Sequence, residues 1–386
     1  MKHLCSPGRD KEIQLFSSAR ELPPSWDQLL PQGHALRSSK LLVYESIALP
    51  DISYLYALTL SEGQALAVAC FQVLQVRKEH INFSQLNGLR AGLIRCMLQW
   101  VRPRLLVAGH LFRHDIETFY APNLSNIEAY RTYEAMIRNC LGQSCALAAL
   151  IKDMPEHLVD YFRNFAPQYH FLRNDISMRL ELPAAWESFA DYEQALKHKY
   201  AQKLRKVRQA IAGLDIKELD ADAVAAQQDR IYALYRQVSE KQSVSLGFLN
   251  REFLPALKRS YEQELRIWGF YEQGRMVAFA SAWVQEDTFD MFYIGFDYTE
   301  NARLQLYFNI LYCSIEQAIL LRKRLLILGR TALEAKARLG CKPHYLHTFL
   351  LVRNSYLRGL VNIQMKQQYQ QEGAWEERHP FRLASL

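Results

Sequence analysis

The chain has 386 residues, of which 49% are hydrophobic, 12% aromatic and 23% charged, and its formal net charge is +7. This is the composition of a globular protein long enough for two ordinary domains or one large one, which excludes a disordered chain. The positive charge favours anionic partners: a phosphate-rich cofactor, RNA or an anionic membrane surface.

The cysteines and the N-terminus indicate where the protein acts. Seven cysteines are scattered singly, with no Cys-x-x-Cys pair and no Cys/His group at zinc spacing, so we expect a reducing environment and no metal site. Residues 1–10 lack the apolar core of a signal peptide, and no apolar run reaches the length of a membrane span. We therefore expect a cytoplasmic protein, with peripheral attachment to the inner face of the membrane left open.

The first half of the chain predicts a mixed α/β unit behind an irregular lead-in. Residues 1–40 are turn-rich and contain Pro7, Pro23, Pro24 and Pro31. The predicted strands are Ser53–Leu60, Ala65–Val76, Ile81–Phe83, Arg104–Ala108, Cys145–Ile151 and Tyr169–Leu182. The predicted helices are Ala91–Val101 and Asn126–Leu141. We place this first unit at residues 41–183.

The second half predicts another α/β unit, at residues 184–360, and a polar tail at residues 361–386. The predicted helices are Ala184–Ile211, Ala223–Glu240, Asn250–Glu262, Arg303–Leu321 and Ala332–Leu339. The predicted strands are Leu265–Tyr271, Met276–Gln285, Phe289–Phe296, Leu325–Leu328 and Tyr345–Leu351.

Two pairs of segments resemble each other in the same order along the two halves. Residues 61–69 (SEGQALAVA) resemble residues 272–280 (EQGRMVAFA), and residues 102–109 (RPRLLVAG) resemble residues 322–329 (RKRLLILG). Collinear matches of this kind indicate a duplicated α/β unit, although apolar strands also resemble one another by chance.

The segment Leu325–Gly340 predicts a buried strand, a break at Gly329 and a short helix. Thr331 and Glu334 have the spacing of a capping box. A helix N-terminus between Arg330 and Lys336 is suited to a negatively charged group, and an ordinary basic corner is the alternative.

Three segments of the second half resemble the Fem-type branch of the GNAT superfamily of N-acyltransferases, in which two GNAT-like units are fused. Residues 203–213 resemble the basic helix that opens the second unit, and residues 293–297 (YIGFD) resemble the strand-end signature. Residues 333–340 resemble the Leu-x-x-Lys-x-x-Phe-Gly segment, with Leu339 in place of Phe. The resemblance implies tandem GNAT-like units, each a mixed twisted sheet flanked by helices, with the second unit catalytic and the first degenerate.

The resemblance also implies acyl transfer to a primary amine, with acyl-CoA as co-substrate and no bound cofactor. Such transfer needs a deprotonated amine, a stabilised carbonyl oxygen and a protonated leaving group. Tyr293 and Asp297, at the end of a predicted strand, are the candidate catalytic residues, and Asp290 is the second choice for the base. Each also has an ordinary structural explanation, as a half-buried tyrosine and a turn aspartate.

The phosphate-binding loop of typical GNAT enzymes has no counterpart with glycine here. The corresponding loop, Asp297–Gln305, contains none. We expect Arg303, at a helix N-terminus, to replace it, with Asn301 and Tyr307 as further cofactor contacts. We expect Arg330, Glu334 and Lys336 to bind the acceptor substrate.

A basic helix carries the strongest charge feature of the chain. Its Lys199, Lys203, Arg205 and Lys206 favour tRNA or an anionic membrane surface rather than DNA, and a solvated helix face is the simpler alternative. The alternative functions are therefore a Fem-like transferase that moves an aminoacyl group from tRNA to a peptidoglycan precursor, and a non-catalytic binding protein with a GNAT fold.

Overall fold

A computed structural model describes residues 11–80, 88–113, 116, 118–154, 156–166, 168–241, 247–354 and 376–382. These residues form two compact units. Unit 1 lies within residues 1–174, 243–249 and 346–372, and unit 2 within residues 175–242, 250–345 and 373–386. The chain therefore passes from one unit to the other four times between residues 174 and 346, and once more near its end.

Unit 1 takes most of its elements from the first 174 residues. Its strands are β1 (Lys11–Phe16), β2 (Ile52–Ser61), β3 (Gln64–Gln75), β4 (Arg104–Ala108), β5 (Thr118–Tyr120), β6 (Ala148–Met154) and the first part of β7 (Tyr169–Glu181). Its helices are α1 (Pro24–Leu29), α2 (Ser38–Ser46), α3 (Gly88–Val101), α4 (Asn126–Ser144) and α5 (Glu156–Phe165). Short 3-10 helices lie at Ala19–Glu21 and Lys78–His80.

Unit 2 contains the remaining helices and most of the remaining strands. The helices are α6 (Phe189–Ala195), α7 (His198–Gln209), α8 (Ala221–Ala226), α9 (Gln228–Ser239), α10 (Phe253–Ser260), α11 (Tyr298–Leu304), α12 (Leu306–Leu320) and α13 (Leu333–Ala337). The strands are β8 (Asp215–Glu218), β9 (Leu265–Glu272), β10 (Arg275–Val284), β11 (Thr288–Phe296), β12 (Leu325–Gly329) and the start of β13 (Lys342–Val352).

The sheets of the two units follow the same plan. In unit 1, β1, β2, β3 and β4 are antiparallel neighbours, β6 lies parallel to β4, and the second part of β13 pairs antiparallel with β6. In unit 2, β8, β9, β10 and β11 are antiparallel neighbours, β12 lies parallel to β11, and the second part of β7 pairs antiparallel with β12. With helices flanking each mixed sheet, this confirms the predicted α/β fold class.

The structure matches one of the two internal similarities and differs from the other. The β2–β3 and β9–β10 hairpins occupy the same place in the two sheets, and both turn through a residue and a glycine with positive φ (Glu62–Gly63 and Gln273–Gly274). The second similarity pairs β4 with β12, but β4 occupies the place of β11, and β6 that of β12. Short apolar strands resemble each other whatever their position in a sheet.

Several predicted elements differ from the observed ones. Residues 11–40 are not irregular, because they contain β1, a 3-10 helix and α1. The single helix predicted at 184–211 is two helices, α6 and α7, because Leu196 leaves the helical conformation and the amide of Lys197 donates to the carbonyl of Pro380. The helix predicted at 303–321 starts at Leu306, after Gln305 with φ 49°. The predicted strand Ile81–Phe83 lies outside the described residues.

The described part of the predicted polar tail, residues 376–382, packs into unit 2. Phe381 is buried against Trp186 and Tyr192, and it forms a bridge with Leu196. Gly340 has φ 97°, and a Cβ there would lie 2.1 Å from the ring of Phe381. Pro380 and Phe381 are therefore buried in unit 2, whereas the other described residues of the segment lie at its surface.

Among the described helices, none combines the length and the apolar composition that a membrane span requires.

Candidate functional site

The parallel strands β11 and β12 pair over only part of their length. Their registered pairs are Thr288 with Leu325, Phe289 with Leu326 and Asp290 with Ile327. Beyond Asp290, β11 runs on to Phe296, whereas β12 ends at Gly329. Because the registered pairing stops there, we infer an opening between the carboxyl ends of the two strands, in the position where open α/β sheets commonly bind ligands.

A β-bulge in β11 accounts for this separation. Ala282 pairs with Met291 and Ala280 with Ile294, so that two residues, Phe292 and Tyr293, face Ser281 alone. The Ser281 hydroxyl donates to the carbonyl of Tyr293 (2.7 Å) and accepts from its backbone amide (2.9 Å), which fixes the bulge. A bulge bends its strand and ends regular pairing, so β11 turns away from β12 directly after Asp290.

Tyr293 lies at this bulge and is half-buried. Its ring packs at right angles against Tyr235 of α9 (5.5 Å between centroids) and Phe253 of α10 (6.2 Å). Because Ser281 already bonds the backbone amide of Tyr293, that amide is committed to the bulge and not to a substrate oxygen. The side chain is positioned by aromatic packing on the α9–α10 face of the sheet.

Gly295 allows helix α9 to lie directly on β11. A Cβ at this position would come within 2.5 Å of the carbonyl carbon of Leu234 and 2.6 Å of the amide nitrogen of Tyr235. These are backbone atoms, which cannot move aside as a flexible side chain could. The glycine of the strand-end signature is therefore a packing requirement.

Asp297 is buried and caps α11. Its carboxylate accepts from the amide (3.2 Å) and hydroxyl (2.6 Å) of Thr299 and pairs with Arg230 (3.2 Å). Burial raises the pKa of Asp297, but the bonds from Thr299 and Arg230 outweigh it and the net pKa lies below the usual value. A carboxylate stabilised in its charged form is a weak base, so this geometry favours a positioning role.

Asn301 and Tyr307 join α11 to α12. The Asn301 side-chain oxygen accepts from the backbone amide of Tyr307 (3.0 Å). The hydroxyl of Tyr307 is buried and has no hydrogen-bond partner among the described residues, and burial, with a smaller effect of Cys341, raises its pKa. Asn301 thus shapes the corner, and Tyr307 presents an unsatisfied polar group within it.

Arg303 lies in the last turn of α11 and not, as the sequence suggests, at the start of the long helix. Its guanidinium donates to both oxygens of Glu272 (2.8 and 2.7 Å) and to Glu300 (2.7 Å). These hydrogen bonds raise its pKa. Two carboxylates therefore surround the arginine that was expected to bind a phosphate.

Helix α13 begins differently from the prediction. Ala332, with φ 54°, is its N-cap residue, and no side chain caps it, so the predicted Thr331–Glu334 capping box is absent. Glu334 is exposed and lies 3.6 Å from Arg338, whereas Arg330 is half-buried just beyond β12. The two residues follow the carboxyl end of β12 but do not share a described contact.

Lys336 is the least expected feature of this region, because it is only 3% exposed. No hydrogen bond or ion pair to its ammonium group occurs among the described residues, and burial lowers its pKa to about 8, opposed only weakly by Cys341. Cys341 is also buried, and burial raises the pKa of its thiol to about 12 although Lys336 acts in the opposite direction. An unpaired buried lysine is costly, which makes Lys336 a candidate functional residue.

The basic helix α7 is partly neutralised. Arg205 pairs with Glu193 (2.6 Å) and Arg208 with Glu316 (2.9 Å), while Lys199 and Lys206 are exposed. Lys203 lies over the ring of Phe308 in the first turn of α12 (5.3 Å). Burial, and then the nearby positive charge of Arg338, lowers the pKa of Lys203. The positive charges of Lys203 and Arg338 thus lie near each other, and we refer to these two residues as the cation pair.

The amino-acid sequence alone does not single out four residues of this region: Ser281, Arg230, Arg338 and Cys341. Ser281 in the middle of an apolar strand was a visible signal, since a buried hydroxyl needs a partner. Arg230 is 67 residues from Asp297, and nothing in a single sequence joins them. No three His, Cys, Asp or Glu side chains in the described ranges gather in an arrangement that could hold a metal ion.

The chain is similar to several solved structures. A tandem GNAT protein from the clavulanic acid biosynthesis pathway is 10% identical, with 89% of this chain and 99% of that chain covered and a TM-score of 0.51. FemX is 9% identical (79% and 89% covered, TM-score 0.47). The C-terminal domain of a putative lysylphosphatidylglycerol synthetase from Agrobacterium fabrum is 12% identical (78% and 85% covered, TM-score 0.46). The fold is a tandem GNAT-like one.

Sequence comparison gives the family. No curated protein matches the chain. The model of the FemAB-like family, described as peptidoglycan biosynthesis/recognition, matches residues 161–382, which is more than half of the 386 residues. Family and fold together support a role as an acyltransferase or a Fem-like transferase. The chain belongs to the FemAB-like family.

Proposed function

We propose that this protein is an N-acyltransferase that moves an acyl group from acyl-CoA to a primary amine, at the opening between β11 and β12. The observation that carries the proposal is the unpaired, buried Lys336 of α13, the helix that follows β12 in the chain. A carbonyl oxygen gains negative charge during acyl transfer, and a preorganised cation in a water-poor site stabilises that charge strongly. Tyr293, at the bulge, is suited to orient the acceptor or to protonate the leaving group.

The cation pair of Lys203 and Arg338 supports a phosphate-bearing donor. The two positive charges repel each other, so an anion close to both relieves that repulsion. Glu334 already lies 3.6 Å from Arg338, but this pair is exposed and therefore weak. Lys203 lies beside the first turn of α12. Arg303 is a poorer candidate because Glu272 and Glu300 already surround it. We therefore assign donor phosphate binding to Lys203 and Arg338.

Unit 1 differs from unit 2 at the strands that correspond to β11 and β12. There, β4 stays paired with β6 from Leu105 to its last residue, Ala108. The corresponding strands of unit 2 separate after their third pair. This supports a structural role for unit 1 as a degenerate copy of the catalytic unit.

A Fem-like transferase that uses aminoacyl-tRNA is the second candidate. The exposed Lys199 and Lys206 on α7 extend the positive charge beyond Lys203, which suits a polyanion larger than a coenzyme. The family description names peptidoglycan biosynthesis or recognition, which favours a cell-wall precursor as acceptor in this case. A binding protein without activity is the third candidate.

The melting temperature of the purified chain with acetyl-CoA, a long-chain acyl-CoA or aminoacyl-tRNA distinguishes these candidates. A ligand that binds only the folded state stabilises it by about 2.7 kcal/mol at a hundred times its Kd. We expect a shift with an acyl-CoA that the Lys203→Gln/Arg338→Gln variant loses and the control variant Arg303→Gln keeps. A shift with tRNA alone would favour the second candidate, and no shift with any donor would favour the third.

A further inference from the structure

A row of directly opposed residues crosses five strands of unit 2. Arg179 of β7 faces Ile327 of β12, Ile327 faces Asp290 of β11, Asp290 faces Trp283 of β10, and Trp283 faces Leu265 of β9. Directly opposed residues point to the same face of a sheet. Arg179 and Asp290 therefore project side by side, with only Ile327 between them.

This arginine is incompletely satisfied. Arg179 is half-buried, and its Nε is buried without a hydrogen-bond partner among the described residues. Burial lowers the pKa of Arg179, and the neighbouring charge of Asp290 offsets part of that effect. A buried guanidinium N–H without an acceptor is costly, and an incoming carboxylate would satisfy it.

The pair lies where the opening begins. Asp290 and Ile327 form the last registered pair of β11 and β12, so Arg179 and Asp290 lie at the point from which the two strands separate. An aromatic wall continues from this point. Trp283 packs against Phe292 (5.6 Å) and Tyr261 (5.1 Å), and Phe292 packs against Tyr293 (4.5 Å).

We propose that Arg179 and Asp290 recognise the acceptor as an amine that also carries a carboxylate, that is, a free amino acid or a terminal amino-acid unit. Arg179 binds the carboxylate and Asp290 binds the ammonium group. The half-buried Phe292 and Tyr293, with the buried Trp283 and Tyr261 behind them, contact the remainder. The backbones of β7 and β11 are two strand spacings, about 10 Å, apart, which suits a compact zwitterion. This inference rests on the proposed acyl transfer, because it names the acceptor of that reaction.

Binding tests the inference independently of turnover. The melting temperature of the full chain is measured with L-phenylalanine and with phenethylamine, and with L-lysine and with cadaverine, so that each pair differs by one carboxylate. We expect the amino acid of at least one pair to bind about tenfold or more tightly than its amine, because a charge-assisted hydrogen bond to the carboxylate is among the stronger kinds. Arg179→Gln should remove this preference, and Arg179→Lys should retain part of it.

Arg266→Gln is the matched control, because Arg266 lies on β9 of the same sheet and pairs with Glu218 of β8. It should leave the preference unchanged. Equal binding within both pairs, no binding of any of the four compounds, or a preference that survives Arg179→Gln would overturn the inference.

An acyl-transfer assay separates this result from the proposed function. Preferential amino-acid binding without transfer would count against the reaction and leave the recognition pair standing. Transfer to cadaverine and phenethylamine at the rates seen with the amino acids would support the reaction and overturn the recognition pair.

Discussion

The guanidinium of Arg303 holds both carboxylate oxygens of Glu272 in two parallel hydrogen bonds, of 2.8 and 2.7 Å, and also contacts Glu300. This joins α11 to the end of β9 at the surface of unit 2. An exposed pair of this kind contributes little to stability, and salt screens it further.

We therefore expect Arg303→Gln to change the urea midpoint of unfolding only slightly, and the change to shrink further in high salt. Donor binding should be unaffected, because Glu272 and Glu300 already neutralise this side chain. A loss of acyl-CoA binding comparable to that of Lys203→Gln/Arg338→Gln would show that Arg303 releases its partners to bind phosphate.

Because α9 lies so close to β11, adding one methyl group at Gly295 should lower the stability of the chain markedly. Gly295→Ala places a Cβ against the backbone of Leu234 and Tyr235, so we expect it to destabilise the chain by about 1–3 kcal/mol. Gly213→Ala is the control, because a Cβ there meets nothing within 4 Å and its φ is not positive. Urea unfolding measures both, and equal stability of the two variants would contradict the close packing.

The buried charge of Lys336 should lower the stability of the folded chain although the proposed reaction needs it. A folded-state pKa of about 8, below the ordinary 10.5, means that the folded chain releases its proton first, so wild-type stability should rise between about pH 8 and pH 10.5. The gain over this range is roughly 3 kcal/mol. Lys336→Met should remove this rise and be more stable than wild type at pH 7.

The same variant tests the role of the charge in the reaction. We expect Lys336→Met to lose acyl transfer although it melts at a higher temperature than wild type. Chemical denaturation at pH 7 and at pH 10 provides the stability comparison. A variant that melts lower at pH 7 would mean that the ammonium group has a stabilising partner.

Asp297 predicts the opposite pH dependence. Its folded-state pKa lies below the usual value, so the stability that it contributes is present above about pH 4 and is lost as the pH falls through the folded-state pKa. Asp297→Asn keeps a capping side chain but removes the charge that pairs with Arg230, and Asp297→Ala also removes the cap, at a further cost of about 1 kcal/mol. The difference in the free energy of unfolding between wild type and Asp297→Asn, measured by urea denaturation, should disappear in acid. A difference that stays constant with pH would mean that the charge is unimportant.

Two glycines with positive φ provide a matched pair of substitutions. Gly340 (φ 97°) would bring a Cβ within 2.1 Å of Phe381, whereas Gly329 (φ 76°) has open space around it. Both alanine substitutions strain the backbone, but Gly340→Ala should lower the melting temperature more because its Cβ also meets Phe381. Adding Phe381→Leu to Gly340→Ala should recover part of the loss. Equal effects of the two alanines would show that residues 376–382 move aside freely.

The strands of the second half could be predicted well because apolar runs between turn residues define them locally. The predicted strand Leu325–Leu328 lies within β12, and the predicted strand Phe289–Phe296 differs from β11 by one residue. Helix ends were harder to predict. The break between α6 and α7 involves Pro380, more than 180 residues away, and Gln305 interrupts a continuous helical pattern with a left-handed conformation that its residue type does not indicate.

The site residues show the same limit. Lys336 was singled out by family resemblance, but its burial depends on how α13 packs against unit 2, which the charge pattern does not reveal. Arg303 was chosen for its position near a helix end. Glu272, which neutralises Arg303, lies 31 residues away at the end of strand β9. Pairings over such distances arise from the tertiary structure and not from local sequence.

In each unit, the strand at one edge of the sheet comes from a part of the chain far from the other strands of that unit or synthesised before them. The strand that completes the sheet of unit 2, the second part of β7, is synthesised before the rest of that unit, whereas the strand that completes the sheet of unit 1, the second part of β13, comes from residues 346–352. During translation, the edge of β6 in unit 1 therefore stays unpaired until residues 346–352 have been synthesised. Dividing the gene between the two halves would separate each sheet from one of its edge strands, the second part of β13 for unit 1 and the second part of β7 for unit 2. We therefore expect both sheets to form completely only in nearly the full chain.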